Sequence, residues 1–295
     1  MMKFISSMAC AFIVTCAHAA VPASKHIFVI ILENQSYERV VGSSNAPYFN
    51  SLISQGALAT QFFANVHGSF LVRQYLYAGR GINPTNTSSC FTEDNLVSHL
   101  LTRGLRWKSF NEQLPFAGDL VNGYLDYRRG HNVLTNWLDT CALSQRFNSV
   151  PFLDSTVGFW HDIKYNSFAN FNDIDPDLAD DMHNPTTYPG LAIRNGDAWL
   201  KGHVPWILTL PEFQAGGDGQ LWLIFDEGNL YPKVDSRNGG GRVAVLLLGP
   251  RARKGFKSSI FHTDVHLLCT WGLSFGFTSF PGAAQYSRSM SEMFK

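Results

Sequence analysis

Three uninterrupted apolar runs constrain the fold of this 295-residue chain most strongly. They are His26–Leu32 (HIFVIIL), Leu221–Phe225 (LWLIF) and Val243–Leu248 (VAVLLL). Runs of this kind, without polar alternation, are typical of strands that are buried on both faces. Helix-like segments lie between them, and this alternation favours a mostly parallel central sheet with helices on both faces. We therefore expect an α/β fold.

Start and stop signals predict three helices. One covers 46–56, because Pro47 suits a first helical turn and a glycine ends the segment. Leu96–Leu101 and His262–Leu273 are the other two. The stretch 116–189 is rich in Asn, Asp and aromatic residues, and it predicts long loops over the sheet. Loops of this kind on a rigid sheet often carry specificity.

Polar oxygen-bearing residues follow two of the three apolar runs. Glu33 and Asn34 end the first run, and Asp226 and Glu227 end the second. Ligands collect at the carboxyl ends of the strands in sheets of this type. Oxygen-only donor sets favour hard divalent cations, and four such groups without a cation would repel one another. The sequence therefore predicts a metal site, with strand-end caps or solvated turns as the alternative.

Gly68 and Ser69 precede an apolar segment that starts at Phe70. If Ser69 begins a helix, its hydroxyl lies among backbone N–H groups that favour anions, and a nearby metal would lower its pKa. An ordinary serine N-cap is the alternative. No G-x-S-x-G elbow is present, since His67 and Leu71 stand where the glycines would be. This absence argues against an ordinary esterase triad.

Two histidines in polar surroundings, His131 and His183, are candidates for proton donation to a leaving oxygen. Each is equally compatible with a surface or structural role. Arg73, Arg242 and the run Gly239–Gly241 would either bind phosphate oxygens or shape a turn.

Motifs in a fixed order then reveal a resemblance that spans most of the chain. They are 26–37 (HIFVIILENQSY), 45–48 (NAPY), 67–69 (HGS), 127–132 (YRRGHN), 180–184 (DDMHN), 196–200 (GDAWL), 225–228 (FDEG) and 248–250 (LGP). In this order they resemble the phosphoesterase family of bacterial and fungal acid phosphatases and phospholipases C. That family shares the alkaline-phosphatase-like fold.

The resemblance implies a role for eight residues. Those that match metal-ligating positions are Glu33, Asn34, Asp226 and Glu227, together with Ser69, which also matches the nucleophile. Those that match polar positions of the phosphate pocket are His131, Asp181 and His183. One divalent metal ion is implied, and Mg, Ca, Mn and Zn all remain open.

The chain departs from the family pattern at three places, one of which is Ala179, where relatives often have Cys. Val72 stands where relatives have Asn, so a phosphate contact is either lost or replaced by Arg73. Asp264 stands where relatives have His, with His262 and His266 as possible substitutes. These departures concern the substrate pocket rather than the metal site.

The first nineteen residues have the pattern of an export signal. Lys3 precedes the apolar stretch Phe4–Cys16, and 17–19 (AHA) fits a cleavage site. The mature protein is expected to be secreted or periplasmic, with 20–295 forming a single phosphoesterase domain and no integral membrane segment. Equal numbers of basic and acidic residues give no bulk attraction to nucleic acid. Oligomeric state stays open.

Three cysteines remain after cleavage. Cys90 and Cys141 lie in polar, loop-like surroundings, whereas Cys269 lies within an apolar run typical of a core. An oxidising compartment then predicts a Cys90–Cys141 disulfide.

The leading functional hypothesis is a metal-dependent acid phosphatase that cleaves small-molecule or lipid phosphomonoesters through a phosphoseryl intermediate on Ser69. A phospholipase C-like phosphodiesterase is the runner-up. A catalytically silent secreted binding protein on the same fold is the alternative from another class.

Overall fold

A computed structural model describes residues 20–83, 85–141, 144–183, 189–230 and 233–295. The predicted export signal and Asn184 lie outside these ranges. The described strands are β1 Ile27–Leu32, β2 Ala57–Phe63, β3 Trp107–Asn111, β4 Gly123–Tyr124, β5 Tyr127–Arg128, β6 Ser149–Pro151, β7 Phe171–Asp175, β8 Gln220–Phe225, β9 Arg242–Leu248, β10 Phe256–Ser258 and β11 His262–Thr263. The described α-helices are α1 Tyr37–Val40, α2 Pro47–Leu52, α3 Ser69–Ala78, α4 Leu96–Thr102, α5 Leu138–Cys141, α6 Phe159–Tyr165, α7 Pro189–Thr209 and α8 Asp264–Ser274.

One mixed sheet organises the described chain. Its strand order is β10-β2-β9-β8-β1-β7-β3-β6, and β11 pairs with β2. All the pairings are parallel except the two that β9 makes with β2 and β8. The predicted α/β class and the mostly parallel sheet are therefore confirmed.

The three apolar runs form β1, β8 and β9. Every residue of β1 and β8 is buried, as expected of central strands covered on both faces. β1 lies between β7 and β8, with Leu32 opposite Phe225 in the parallel register. The chain segments after β1 and β8 therefore leave the sheet side by side, which brings the two acidic pairs together.

The prediction of long loops over 116–189 was wrong in part. β6, α6 and β7 all lie in this stretch, and β7 is a fully buried central strand. Three of the five residues in its sequence FNDID are polar, so it lacks the signature of a buried strand. Tyr77 and Arg73 of α3 bind the side chains of Asp173 and Asp175, and these bonds allow the polar residues to be buried.

The three predicted helices are present, with shifted ends. α2 begins at Pro47 and continues as a 3-10 turn to Gln55, just before Gly56. α8 begins at Asp264 instead of His262, because His262–Thr263 pairs with β2. α3 begins at Ser69, as the nucleophile hypothesis required, and ends at Gly79 in a left-handed cap.

The predicted disulfide joins Cys90 to Cys141, and Cys269 is a buried free thiol. Both outcomes agree with the reading of the three cysteines. Within the described ranges, no helix combines the length and the apolar character that crossing a membrane requires.

Candidate active site

Ser69 is the first residue of α3 and is half-buried. Its Oγ donates to Oε2 of Glu33 over 2.6 Å. Gly68 precedes it with φ +97°, a left-handed conformation that glycine adopts without strain. The Gly68 backbone N–H donates to Oε2 of Glu227 over 2.8 Å, which fixes the turn into α3. The structure therefore places three of the predicted site residues around the start of one helix.

Two buried oxygens at the ends of β1 and β8 have no hydrogen-bond donor among the described residues. They are Oδ1 of Asn34 and Oδ2 of Asp226. Oδ1 of Asp226 accepts the backbone N–H groups of Asn34 (3.0 Å) and Glu227 (2.6 Å), which leaves Oδ2 as the orphan. Orphaned buried acceptors are costly, and hard divalent cations prefer such oxygens. The donor set therefore fits the predicted cation.

Asn34 holds its amide in a defined orientation. Its Nδ2 lies 2.9 Å from Nδ1 of His183, so Oδ1 points elsewhere. The residue adopts a left-handed φ of +50°, which is uncommon outside glycine and marks functional sites. Both features agree with a ligand role for Oδ1.

Glu227 contacts the loop before Ser69. Besides Gly68 N–H, its Oε2 binds Nδ1 of His67, and Nε2 of His67 lies 2.9 Å from the carbonyl oxygen of Asp235. Glu227 thus has a positioning role through Oε2 in addition to the ligand role that the family pattern implies. The sequence analysis gave His67 no role at the site, because its partners Glu227 and Asp235 are distant in the chain.

The remaining predicted residues surround the Glu33 carboxylate. Nε2 of His131 lies 3.5 Å from Oε1 of Glu33, and Nδ1 of His183 lies 3.8 Å from Oε2. Asp181 accepts the His183 backbone N–H over 2.6 Å and lies 3.8 Å from Nδ1 of His131. Sequence reasoning therefore grouped residues that the structure brings together from five separate segments.

Charges around Glu33 set its protonation state. Burial raises the pKa of Glu33, but His131, His183 and Arg73 lower it more, to well below its usual range. Burial lowers the pKa of His131 to about 4, so this imidazole is neutral. The permanent charge that keeps Glu33 ionised is therefore the guanidinium of Arg73, whose NH2 donates to Oε1 over 2.7 Å.

The other buried acids of the site have raised pKa values. Burial, followed by the charges of Glu33 and Glu227, raises the pKa of Asp226 well above its usual range. Burial and Glu33 raise that of Asp181 in the same way. An excess of buried carboxylates favours either protons or a bound cation.

Val72 and Asp264, two of the departures from the family pattern, are both buried. Val72 is fully buried in the core, and the Arg73 side chain is 1% exposed and faces carboxylates. Asp264 accepts the Asn65 backbone N–H over 2.8 Å. His262 binds Glu292, and His266 accepts the Thr263 N–H. These side chains are thus bound to protein groups, and the hypotheses that Arg73, His262 or His266 replaces a lost pocket residue stay predictions.

Sequence reasoning missed a buried polar layer beneath the site. Arg73 binds the Asp175 carboxylate, and the Tyr77 hydroxyl donates to Oδ1 of Asp173 over 2.8 Å. No sequence signal connects these residues, which lie about a hundred positions apart. Only the sheet order, with β7 beside β1, brings them under Glu33.

The fold is that of the alkaline phosphatase superfamily. A Vibrio parahaemolyticus protein of that superfamily matches 88% of this chain and 69% of its own, with a TM-score of 0.60 and 11% identity. The lipoteichoic acid synthase LtaP from Listeria monocytogenes matches 93% and 77%, with a TM-score of 0.63 and 11% identity.

The sequence comparisons assign the family. The model of the Phosphoesterase family matches residues 43–266, and the chain belongs to this family. It is 29% identical over 254 residues to a phosphatidylinositol-3-phosphatase of Mycobacterium tuberculosis, covering 84% of this chain and 77% of that protein. It is 26% identical over 261 residues to a probable acid phosphatase of Kluyveromyces lactis, covering 81% of this chain and 55% of the yeast protein. The protein is therefore a phosphoric ester hydrolase.

Proposed function

We propose that this protein is an exported, metal-dependent acid phosphatase that hydrolyses phosphomonoesters through a phosphoseryl intermediate on Ser69. One observation carries the proposal. The Ser69 hydroxyl, at the start of α3, donates to Glu33 beside the orphaned oxygens of Asn34 and Asp226. A hydroxyl, a helix N-terminus and acceptors suited to a cation thus meet at one point.

Ser69 is the nucleophile in this proposal. Its Oγ attacks phosphorus while the bond to the leaving oxygen breaks, and the hydroxyl proton is lost to solvent, because Glu33, its present acceptor, is held ionised and would hold the metal. The N-terminal turn of α3 favours the negative charge of the phosphoryl group. Water then attacks the phosphoserine and releases inorganic phosphate.

The residues that would hold the metal are Glu33, Asn34, Ser69, Asp226 and Glu227. When bound, a divalent cation lowers the pKa of the serine hydroxyl and stabilises charge on the phosphoryl oxygens.

His183 is the proposed hydrogen-bond donor to the leaving oxygen, which takes its proton from water. Its Nδ1 accepts from Nδ2 of Asn34 over 2.9 Å, so its ring hydrogen lies on Nε2. Its side chain is 39% exposed, against 12% for His131, and it is therefore the more accessible of the two to a substrate. His131 and Asp181 line the pocket behind it.

The curated relatives favour monoesters. Both are named as phosphatases, one of them acting on a phosphorylated lipid headgroup. A phosphomonoester on a small molecule or a lipid headgroup is therefore the proposed substrate, ahead of a phospholipase C-like diester. The silent-binding alternative is disfavoured by the Ser69–Glu33 hydrogen bond and the orphaned oxygens, which a binding module would have no need to keep.

Export is part of the same proposal. The Cys90–Cys141 disulfide is typical of proteins outside the cytoplasm. It agrees with the export signal expected over residues 1–19.

The test compares hydrolysis of p-nitrophenyl phosphate and p-nitrophenyl phosphorylcholine across acidic to neutral pH, with and without chelator. We expect chelator-sensitive release from the first ester and loss of turnover in Ser69→Ala. Ser51→Ala is the control, because Ser51 lies on the exposed side of α2 and bonds only its own helix. Preference for the phosphorylcholine ester would establish the diesterase instead. If neither ester releases p-nitrophenol with any divalent metal, the result would support the catalytically silent binding protein.

A further inference from the structure

Two residues of α3, one helical turn apart, bind the same carboxylate. Ser69 Oγ donates to Oε2 of Glu33 over 2.6 Å, and NH2 of Arg73 donates to Oε1 over 2.7 Å. Residues four positions apart lie on the same face of a helix, so both reach the end of β1. Each oxygen of Glu33 therefore has its own partner on α3.

The guanidinium of Arg73 also holds two other segments. Its NH1 donates to the carboxylate of Asp175, at the end of β7, and to the carbonyl oxygen of His131 over 3.0 Å. The Arg73 side chain is 1% exposed. A planar guanidinium presents donors in a fixed fork, and it can therefore orient several acceptors at once where a lysine ammonium cannot.

We propose that Arg73 is a positioning residue that binds Oε1 of Glu33 and thereby keeps Oε2 as the oxygen that faces Ser69. This inference rests on the proposed roles of Ser69 and Glu33. A purely structural ion pair would need only Asp175, whereas Arg73 divides its donors between Asp175 and a residue of the reaction site.

The same contact limits where a cation can bind. A group of three potential ligands comprises Glu33, His131 and Asp181, whose ligand atoms all lie within 4.8 Å of one another. Nε2 of His131 lies 3.5 Å from Oε1 of Glu33, and NH2 of Arg73 lies 2.7 Å from the same oxygen, so a cation bound at Oε1 would be repelled by the guanidinium. We therefore expect one metal ion per chain, on the Oε2 side with Asn34 and Asp226.

The test separates positioning from stability. Arg73→Met with Asp175→Asn removes the cation and one of its buried partners together, so that Asp175 is not left as an uncompensated charge. We expect kcat for p-nitrophenyl phosphate to fall about 100-fold with KM changed less than about threefold, because the nucleophile is misplaced while phosphate contacts remain. Asp175→Asn alone leaves Arg73 on Glu33 and should keep kcat within about threefold.

A matched control measures the cost of losing any buried ion pair. Lys108 donates to Asp162 over 2.6 Å away from the site, so Lys108→Met with Asp162→Asn should lower the melting temperature but not kcat. Bound Mn²⁺ gives a second readout. We expect its electron paramagnetic resonance spectrum to change in Arg73→Met/Asp175→Asn, and its stoichiometry in the wild type to be one per chain.

Four results would overturn the inference. Wild-type kcat and an unchanged Mn²⁺ spectrum in the double variant would leave Arg73 structural while the phosphatase function stands. A raised KM with unchanged kcat would make Arg73 a substrate contact. If the double variant does not fold, Arg73→Lys replaces it in the test. Wild-type kcat in Arg73→Lys would show that the planar guanidinium is not required. An inactive wild-type enzyme would remove the proposed function and this inference with it.

Discussion

Glu33 concentrates most of the chemistry of the site in one side chain. It is fully buried, receives bonds from Ser69 and Arg73, and has His131 and His183 within 4 Å. A carboxylate in such surroundings stays ionised only because a permanent cation is present. The residue could be selected from sequence because it directly follows a buried strand. The partners that control it could not, since they lie 36 to 150 positions away in the chain.

Burial of Asp264 makes stability depend on pH. Burial raises the pKa of this carboxyl to about 8, from an ordinary value of 3.8. Between about pH 4 and pH 8 the folded protein therefore holds a proton that the unfolded chain has lost, and stability falls as pH rises, by at most about 1.4 kcal/mol per pH unit.

Asp264→Asn should remove this dependence, because the amide oxygen can still accept the Asn65 N–H. We expect the melting temperature of the variant, relative to the wild type, to be higher at pH 8 than at pH 5. Thermal unfolding at the two pH values checks this. If the difference in melting temperature between variant and wild type is the same at both pH values, Asp264 does not titrate in this range.

At the scale of elements, the turn between β2 and α3 decides where Ser69 lies. Gly240 packs so closely that an added Cβ would lie 2.0 Å from the carbonyl oxygen of Val66, and its N–H donates to Ala64 over 3.0 Å. The glycine run 239–241 thus allows a close backbone contact with the segment before α3, and this contact supports the turn. Its sequence alone did not distinguish this role from phosphate binding or a plain turn.

Gly68→Ala should test the turn directly. The φ of +97° is strained for alanine, so we expect a loss of about 1–3 kcal/mol and rotation of the peptide that binds Glu227. Misplacement of Ser69 should then lower kcat roughly tenfold or more. Melting temperature and kcat measure the two effects.

Gly42→Ala is the matched control, with φ +81° and open space around the added methyl group, as at Gly68. It should lower the melting temperature similarly and leave kcat unchanged. Equal kcat losses in both variants would mean that the turn has no special connection to Ser69, the proposed nucleophile.

Element prediction succeeded where burial alone decides the structure. Apart from Gln220 at the start of β8, the buried residues of β1, β8 and β9 are all apolar, so their sequences predict them. β7 was not predicted, because its polar residues Asp173 and Asp175 are buried through bonds to Tyr77 and Arg73. These two partners lie about a hundred residues earlier in the chain. Local sequence cannot show a partner that only the tertiary structure supplies.

At the scale of the whole molecule, the Cys90–Cys141 disulfide joins positions 51 residues apart. Closing a loop of this length restricts the unfolded chain and stabilises the fold by about 4 kcal/mol. Cys90→Ser with Cys141→Ser should therefore lower the denaturation midpoint in urea. Reductant should destabilise the wild type equally and leave the double variant unchanged. Reductant sensitivity in the double variant would contradict the assignment of the bridge.

The central claim is that Ser69 becomes covalently phosphorylated during turnover. The most direct measurement is an acid quench during hydrolysis of p-nitrophenyl phosphate at its pH optimum, followed by peptide mass spectrometry. We predict one phosphoryl group on the peptide that contains Ser69, absent after chelation of the metal. Rapid turnover with an unmodified Ser69, or with the phosphoryl group on His131 or His183 instead, would contradict the claim.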